Sequence, residues 1–321
     1  MSFRFAPAAS AVALVACLAS PAFAAETDVA KAGPVDDTAI ADSADDAPVA
    51  VRAIAPVDPD TAMGQEEKAP TLTVSGSAAI VSDYRFRGVS QSDEGFAVQG
   101  GFTVAHDSGF YVGAWGSNLA GWGTFGGANM ELDLIAGFKF PVGEGTLDTG
   151  VTWYMYPSGA DETDFAELYA KLSGTVGPVA LTAGVAYAPP QQALGKVFNT
   201  GARAAAGLPN DPGDKESNFY ISGDAVYGVA DTPVSVKAHI GYSDGNSGLG
   251  PNGTSVTPTG SYLDWLIGID VVPLEHLTLS AAYVDTDISE AGSAYLLPNF
   301  ATLSGNPIAD ATVVFSVTAS F

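Results

Sequence analysis

Charged side chains in one short stretch of the chain could form an electrostatic site. Asp83, Arg85 and Arg87 stand at every second position, with aromatic residues between them. In a β-strand, residues two positions apart point to the same face, so these three charges would share a face. The planar guanidinium of arginine pairs well with carboxylates, and a low-dielectric wall strengthens such pairs. The acids expected beside them on antiparallel neighbours are Glu131, Asp133 and Glu167.

These charges have two uses inside a β-barrel. They can pair to brace the wall, or they can form a constriction that selects solutes by charge, and both can be true together. Acids outnumber bases at the expected inward positions, which predicts a preference for cations. The predicted channel-lining residues are Asp83, Arg85, Arg87, Glu131, Asp133, Glu167, Lys171, Lys237, His239 and Asp264.

Catalytic readings of the same residues are weaker. The segment 241–245, GYSDG, fits a nucleophile pattern, but that pattern needs a strand-to-helix turn and here it enters a Gly-rich loop. Glu131 and Asp133 would be neighbours on one strand face, not a pair opposed across a substrate. His239 is the one histidine expected to face inward, and we interpret it as a wall residue. We therefore predict no catalytic residue, no metal site and no cofactor.

The elements that position these side chains are short alternating runs, which begin at Thr71 and are separated by Gly, Pro, Asp and Asn. Such runs are typical of strands and turns. The longest uncharged stretch, 172–195, is interrupted by Gly-Pro and Pro-Pro pairs, so it predicts two strands and not a membrane helix. The predicted strands are 71–90, 96–106, 109–118, 129–140, 146–156, 164–175, 178–188, 217–230, 232–243, 261–272, 275–286 and 309–321.

The lengths of the connections between these strands alternate. Every second connection is short, and all the long ones fall in the other set, at 119–128, 189–216, 244–260 and 287–308. Tight periplasmic turns and long outer loops give this alternation in a membrane barrel, whereas a soluble β-sandwich gives no reason for it. The sequence therefore predicts an all-β fold, an antiparallel transmembrane β-barrel of about twelve strands.

The pleat assigns one face of each strand to lipid. In 129–140 and 261–272 the apolar residues alternate with the charged ones. A charge facing lipid at the midplane costs about 2–4 kcal/mol, so the charged faces must point inward. The aromatic residues predicted to form a girdle at the outer ends of the lipid-facing rows are Tyr84, Phe86, Trp153, Trp265, Tyr187 and Tyr283.

The final strand, 309–321, is apolar on one face and stops at Phe321. An open sheet edge of this kind invites aggregation, and a closed barrel removes the edge. The ending resembles the C-terminal signature of bacterial outer-membrane barrels. That resemblance implies that the barrel-assembly machinery binds the strand ending in Phe321.

Two segments precede the predicted barrel. Residues 1–24 read as a secretory signal with a basic start, an apolar stretch and a small-x-small cleavage site at 22–24. A lipobox-like run ending at Cys17 leaves lipidation open as an alternative. Residues 25–70 are acidic and rich in Ala, Asp and Pro, which predicts a disordered periplasmic leader. The predicted domains are thus a signal peptide, 1–24, a leader, 25–70, and a barrel, 71–321.

Several motifs of the first half carry a family resemblance. They are SDYRFRGVS at 82–90, QGGF at 99–102, SGFYVGAWGSN at 108–118, ELDLIAGF at 131–138, YMYP at 154–157 and AELY at 166–169. They resemble the proteobacterial putative porins of the TorF-like or Gcw type. The resemblance implies an outer-membrane barrel that acts as a porin.

The net charge of −24 excludes nucleic acid as a partner. We expect the outer membrane of a Gram-negative bacterium as the location, and lipid, lipopolysaccharide and small polar solutes as partners. Two classes of function stay open: passive diffusion of small polar solutes through a porin-like channel, or an outer-membrane barrel enzyme or closed structural barrel. Twelve strands lie between packed barrels of eight strands and open porins of sixteen, so strand number does not decide between them.

Overall fold

The structure, a computed structural model, describes residues 71–321. The predicted signal peptide, Cys17 and the predicted leader lie outside the described residues. Residues 71–321 form a closed antiparallel barrel of twelve strands. Each strand pairs with the next barrel strand along the chain, and the last strand pairs with the first. The predicted fold class, an antiparallel barrel of about twelve strands, is confirmed.

The barrel strands run up and down, with one small hairpin, β2–β3, that is not part of the barrel wall. The strands are β1 (Leu72–Val81), β2 (Arg85–Phe86), β3 (Val89–Ser90), β4 (Ala97–His106), β5 (Phe110–Asn118), β6 (Met130–Val142), β7 (Gly145–Met155), β8 (Phe165–Val176), β9 (Val179–Gln191), β10 (Glu216–Gly228), β11 (Val234–Gly245), β12 (Ser261–Leu274), β13 (Leu277–Thr286) and β14 (Thr312–Ser320). Helical segments are short: α1 (Gly201–Ala205), α2 (Glu290–Ser293) and 3-10 turns at Gly121–Gly123, Phe125–Gly127 and Ala294–Leu296.

Apolar side chains form the outer face of the barrel, as the period-two pattern predicts. In β6, Met130, Leu134 and Phe138 are exposed while Glu131 and Asp133 between them are buried. The same alternation holds in β11, β12 and β14. An apolar outside and a polar inside on a sheet without edges is the arrangement that a membrane-spanning barrel requires. Within residues 71–321, no helix has the length and apolar character needed to cross a membrane.

The long and short connections lie at opposite ends of the barrel, as predicted. Tight turns join β4 to β5, β6 to β7, β8 to β9, β10 to β11 and β12 to β13, and we call that rim the short-turn end. The other connections, at 82–96, 119–129, 156–164, 192–215, 246–260 and 287–311, form the long-loop end. The first residue of β1 and the last residue of β14 therefore both lie at the short-turn rim.

The long loops pack on one another over the barrel mouth. Their buried apolar residues form one cluster with the hairpin, and aromatic pairs lie inside it. Trp122 packs edge-on against Phe300 with ring centroids 4.9 Å apart, and Phe125 packs against Tyr156 at 5.1 Å. Such pairs add about 0.5–1.5 kcal/mol each beyond the area that they bury. The long-loop end is thus an ordered, apolar layer.

The first predicted strand is wrong in its second half. The sequence predicted one strand over 71–90, but β1 ends at Val81 and the chain then turns into the barrel interior. Tyr84 and Phe86, predicted to face lipid in the girdle, are buried inside. Their alternating pattern is that of a strand, but the strand is the β2–β3 hairpin within the lumen. Of the other predicted girdle residues, Trp153, Tyr187 and Tyr283 are exposed on the outer surface.

Candidate functional site

The β2–β3 hairpin lies inside the long-loop half of the barrel and presents Arg87 at its tip. Phe86 pairs with Val89, so Arg87 and Gly88 form a two-residue turn, and both have positive φ, 47° and 81°. Two successive positive φ angles define the type I′ turn that tight hairpins favour. Arg87 is a costly residue for this conformation, whereas Gly88 adopts it freely.

Arg85 binds within the hairpin and to its surroundings. Its Nε donates to Asp83 Oδ2 at 2.6 Å, and its Nη1 donates to the carbonyls of Gly88 and Asp310 at 3.0 Å each. Asp83 also accepts from Ser90 Oγ at 2.6 Å. Arg85 is fully buried, so these bonds replace the water that the guanidinium has lost. Arg85 and Asp83 therefore hold the hairpin's own shape.

Arg87 reaches across the lumen to the opposite wall. Its Nη2 donates to both carboxylate oxygens of Glu167 on β8, at 2.7 and 2.8 Å, and its Nη1 donates to Asn218 Oδ1 on β10 at 2.7 Å. The guanidinium carbon lies 4.1 Å from the ring centroid of Tyr220, a cation–π distance. Tyr154 donates its hydroxyl to Glu167 at 3.0 Å. The tip of the hairpin is thus fastened to two wall strands.

Two further acids line the wall beside this contact. Tyr84 of the hairpin segment donates to both oxygens of Glu131, at 3.2 Å each. Asp133 is 0% exposed, and neither of its carboxylate oxygens has a hydrogen-bond partner among the described residues. The prediction that arginines meet these acids holds for Arg87 with Glu167. For Glu131 the partner is a tyrosine, because the hairpin turns the arginines elsewhere.

A second polar group lies on β10, β11 and β12. His239 Nδ1 is 2.7 Å from Asp224 Oδ1, and its Nε2 is 3.1 Å from Asp264 Oδ1. Tyr220 donates to Asp264 at 3.2 Å, which links this group to the Arg87 contact. With two carboxylates as partners, His239 is held in place as a wall residue, as the sequence analysis interpreted it.

The short-turn half of the lumen carries the lysines. Lys237 Nζ donates to Asp270 at 2.6 Å. Lys139 instead lies over the ring of Tyr111 and Lys171 over the ring of Tyr169, each with Nζ 5.2 Å from the ring centroid. The hydroxyls of the two tyrosines contact each other, and Tyr111 also donates to Asp148 at 2.7 Å.

The two halves of the lumen differ in their access to water. In the long-loop half the polar wall residues are buried, although a water-filled pore would leave them wet. They are Gln99, Ser117, Glu131, Thr152, Glu167, Asn218, Ser243, Asp264 and Thr286. In the short-turn half the inward polar residues of β7, β8, β10 and β11 are partly exposed, and the side chain of Asp224 is 39% exposed. On β12 to β14 the inward polar residues stay buried there too, among them Asp270, Thr278 and Thr318. The hairpin and the loops above it therefore occlude the long-loop half.

The structure brings all ten predicted lining residues inside the barrel. Asp83, Arg85 and Arg87 lie on the hairpin segment and the other seven on the wall. Sequence reasoning missed the other residues of this contact, namely Asn218 and Tyr220, which contact Arg87, and Tyr154, which donates to Glu167. Each lies on the inward face of its strand, so the alternation of β7 and β10 placed them inside, but nothing in the pattern showed that Arg87 would meet them.

The nucleophile pattern has a structural context different from that of a hydrolase elbow. Residues 241–245 lie within β11, and Ser243 is buried there. A nucleophile elbow needs the serine on a sharp strand-to-helix turn. Among residues 71–321, no cluster of three or more His, Cys, Asp or Glu side chains has the geometry to hold a metal ion.

The fold and the lumen define a membrane β-barrel with a polar and internally occluded interior. The chain belongs to the family described as "Bacterial protein of unknown function (Gcw_chp)", which matches residues 65–321. The predicted Gcw-type resemblance is thereby confirmed, whereas the TorF-like name is not part of that description. A comparison with curated proteins gave no match.

Solved structures of barrel channels resemble the chain at low sequence identity. A KdgM porin has a TM-score of 0.45 and 6% identity, and the match covers 77% of this chain and 98% of that one. The COG4313 outer-membrane channel from Pseudomonas putida F1 has a TM-score of 0.40 and 9% identity, with 82% and 100% covered. A porin refined at 1.8 Å has a TM-score of 0.37 and 11% identity, with 78% and 100% covered.

Proposed function

We propose that the protein is a porin-like outer-membrane channel for small polar solutes, closed in this conformation by the β2–β3 hairpin. The observation that carries this proposal is the polar interior of the barrel, which includes the carboxylate of Asp133, without a hydrogen-bond partner among residues 71–321. A barrel that served only as a structural element would be more stable with a packed apolar interior, because buried charges cost free energy. A polar wall is instead what a passage for polar solutes needs.

A cation bias follows from which charges are paired. Arg85, Arg87 and Lys237 are neutralised by acids at 2.6 to 2.7 Å. Glu131 and Asp133 have no cationic partner among the described residues. Once the hairpin moves aside, the wall it leaves is acidic, and an acidic ring favours cations.

Opening requires the hairpin to leave the wall, since Arg87 and Glu167 block the lumen where they meet. The connection 82–96 joins β1 to β4 and belongs to neither, so the hairpin can shift without breaking the barrel ladder. Among residues 71–321 it is held by the contacts of the tip, by the hydrogen bonds from Tyr84 to Glu131 and by the loop layer. Movements of such segments gate many sites on the microsecond-to-second scale.

Single-channel recording in planar bilayers tests this function. We expect the wild type to conduct in brief openings and Arg87→Gln to stay open for a larger fraction of the time. The reversal potential under a salt gradient should show selectivity for cations. Arg203→Gln is the matched control, because Arg203 is exposed in α1 and its change should leave the openings as in the wild type. If neither the wild type nor Arg87→Gln conducts, the channel proposal fails.

A closed structural barrel is the second candidate, and the occluded long-loop half favours it. A barrel enzyme is a weaker alternative, because Ser243 and His239 lie in wall positions without a nucleophile elbow. For the outer-membrane location we further propose contact with lipopolysaccharide at the acidic loops, and recognition of β14 with Phe321 by the barrel-assembly machinery. Protease protection of the loops in intact cells would test that location.

A further inference from the structure

The wall groups that bind Arg87 have the composition of a guanidinium receptor. Glu167 offers two carboxylate oxygens to one nitrogen, and Asn218 offers an amide oxygen to another. The face of Tyr220 covers the guanidinium carbon at 4.1 Å. Charged acceptors combined with an aromatic face recognise planar organic cations.

The receptor belongs to the barrel wall, whereas its occupant lies on the hairpin inside the lumen. Glu167 lies in β8, and Asn218 and Tyr220 lie in β10, where each strand is paired on both sides. Tyr154 on β7 orients the Glu167 carboxylate by a hydrogen bond of 3.0 Å. Arg87 sits on a two-residue turn in a left-handed conformation. If the hairpin withdrew, the acceptors and the aromatic face would remain in place.

Arg87 satisfies this receptor incompletely. Its Nε is buried without a hydrogen-bond partner among the described residues. Both oxygens of Asp133 are also buried without a partner in that part of the chain. Asp133 pairs across the strands with Tyr154, so it lies beside the residue that orients Glu167. Unmade bonds of this kind are costly, so a better-fitting cation would gain free energy that Arg87 does not.

We propose that the wall site of Glu167, Asn218 and Tyr220, with Asp133 beside it, binds guanidinium- or ammonium-bearing organic solutes, and that Arg87 occupies it as a tethered stand-in. Such a solute displaces Arg87 and releases the hairpin from the wall. The inference rests on the proposed channel and names its solute class. A tethered group competes at an effective concentration on the order of millimolar, so the wild type should bind free solute weakly.

Ligand binding to the folded protein in detergent tests this site. The probe is methylguanidinium chloride, with methylurea as the neutral isostere and sodium chloride at matched ionic strength. The melting temperature of Arg87→Ala should rise when methylguanidinium is added and should stay unchanged with methylurea. The apparent Kd for methylguanidinium should be at least about tenfold lower in Arg87→Ala than in the wild type. Arg203→Ala should bind it as the wild type does.

A double variant identifies the receptor. In Arg87→Ala with Glu167→Gln, the response to methylguanidinium should be lost. A response that survives this change, or one that methylurea reproduces, would overturn the site. Should Arg87→Ala not fold, Arg87→Lys replaces it, since an ammonium group cannot make the forked contact and must yield to methylguanidinium more readily than arginine does.

The second experiment records the wild-type protein in planar bilayers. Methylguanidinium should lengthen the open time relative to sodium at equal concentration, and open time that does not respond would overturn displacement of the hairpin. Binding is measured without conduction, so a barrel that binds methylguanidinium but never conducts refutes the channel and leaves the receptor.

Discussion

Phe321 and Gly76 exchange two backbone hydrogen bonds across the seam where β14 meets β1. Gly76 N–H donates to the Phe321 carbonyl at 3.0 Å, and Phe321 N–H donates to the Gly76 carbonyl at 2.9 Å. A side chain at Gly76 would meet the Phe321 ring atom Cζ at 2.6 Å. The glycine therefore leaves the space that the terminal ring fills, and the pair completes the closure of the barrel.

Deletion of Phe321 should reduce assembly of the barrel, because it removes both hydrogen bonds and the ring that packs over the seam. Gly76→Val should reduce assembly as well, since the new side chain displaces the ring. The fraction of folded barrel can be measured from heat-modifiable mobility on gels of membrane extracts.

Gly228→Ala is the matched control for the seam. Gly228 ends β10, and an added Cβ there would meet open space. We expect this variant to assemble like the wild type. Normal assembly of both seam variants would show that closure does not depend on the Gly76–Phe321 pair.

Arg87→Gln should destabilise the closed conformation. Removing one partner of a buried ion pair leaves the carboxylate of Glu167 buried and uncompensated, at a cost of about 3–5 kcal/mol. The double variant Arg87→Gln, Glu167→Gln should recover part of that loss, because it removes the stranded charge. Melting in detergent, followed by tyrosine and tryptophan fluorescence, measures both, and equal melting in all three proteins would place Arg87 away from Glu167.

Gly88→Ala should open or disorder the hairpin tip for two separate reasons. Its φ of 81° strains any residue with a side chain, at about 1–2 kcal/mol. A Cβ at this position would also collide with Thr286 Cγ2 on the barrel wall. We expect more proteolysis of the segment 82–96 than in the wild type.

Gly127→Ala is the control for a strained glycine outside the hairpin. Gly127 has the same φ of 81° but open space where a Cβ would stand. It should therefore show the backbone strain without the collision, and the hairpin should remain protected. If the two variants are equally protected, then the hairpin tip does not pack on Thr286.

Asp133→Asn should stabilise the closed conformation near neutral pH. The change removes a charge from a fully buried site whose oxygens have no partner in the described part of the chain, while the shape stays the same. The melting temperature in detergent should rise. The cation selectivity of the proposed channel should also decrease, because one negative charge of the wall is lost.

Asp211→Asn is the control for this charge effect, since Asp211 is exposed in the loop 192–215. It should leave the melting temperature within the error of the wild type, as surface substitutions usually do. A fall in the melting temperature of Asp133→Asn would mean that the carboxylate has a stabilising partner when the barrel is in detergent.

The sequence by itself determined the barrel. Side chains alternate between the two faces of a strand, so each strand has one face toward lipid and one toward the lumen. Because charged residues avoid lipid, the apolar rows of 130–140 and 263–271 had to face outward. The alternating runs determined the strand count, and the parity of loop lengths indicated which rim carries the long loops. Both are local patterns, and a single sequence displays them fully.

Only the tertiary structure decided what fills the lumen. A strand of the wall and a hairpin inside it share the same alternation, so the residues 82–90 could not show which one they form. The decision came from contacts with distant residues: Arg87 with Glu167 and Asn218, and Gly88 against Thr286. Those contacts depend on strand register and on the side of the barrel that each strand occupies. Local pattern fixes neither, because both arise only when the twelve strands have closed on one another.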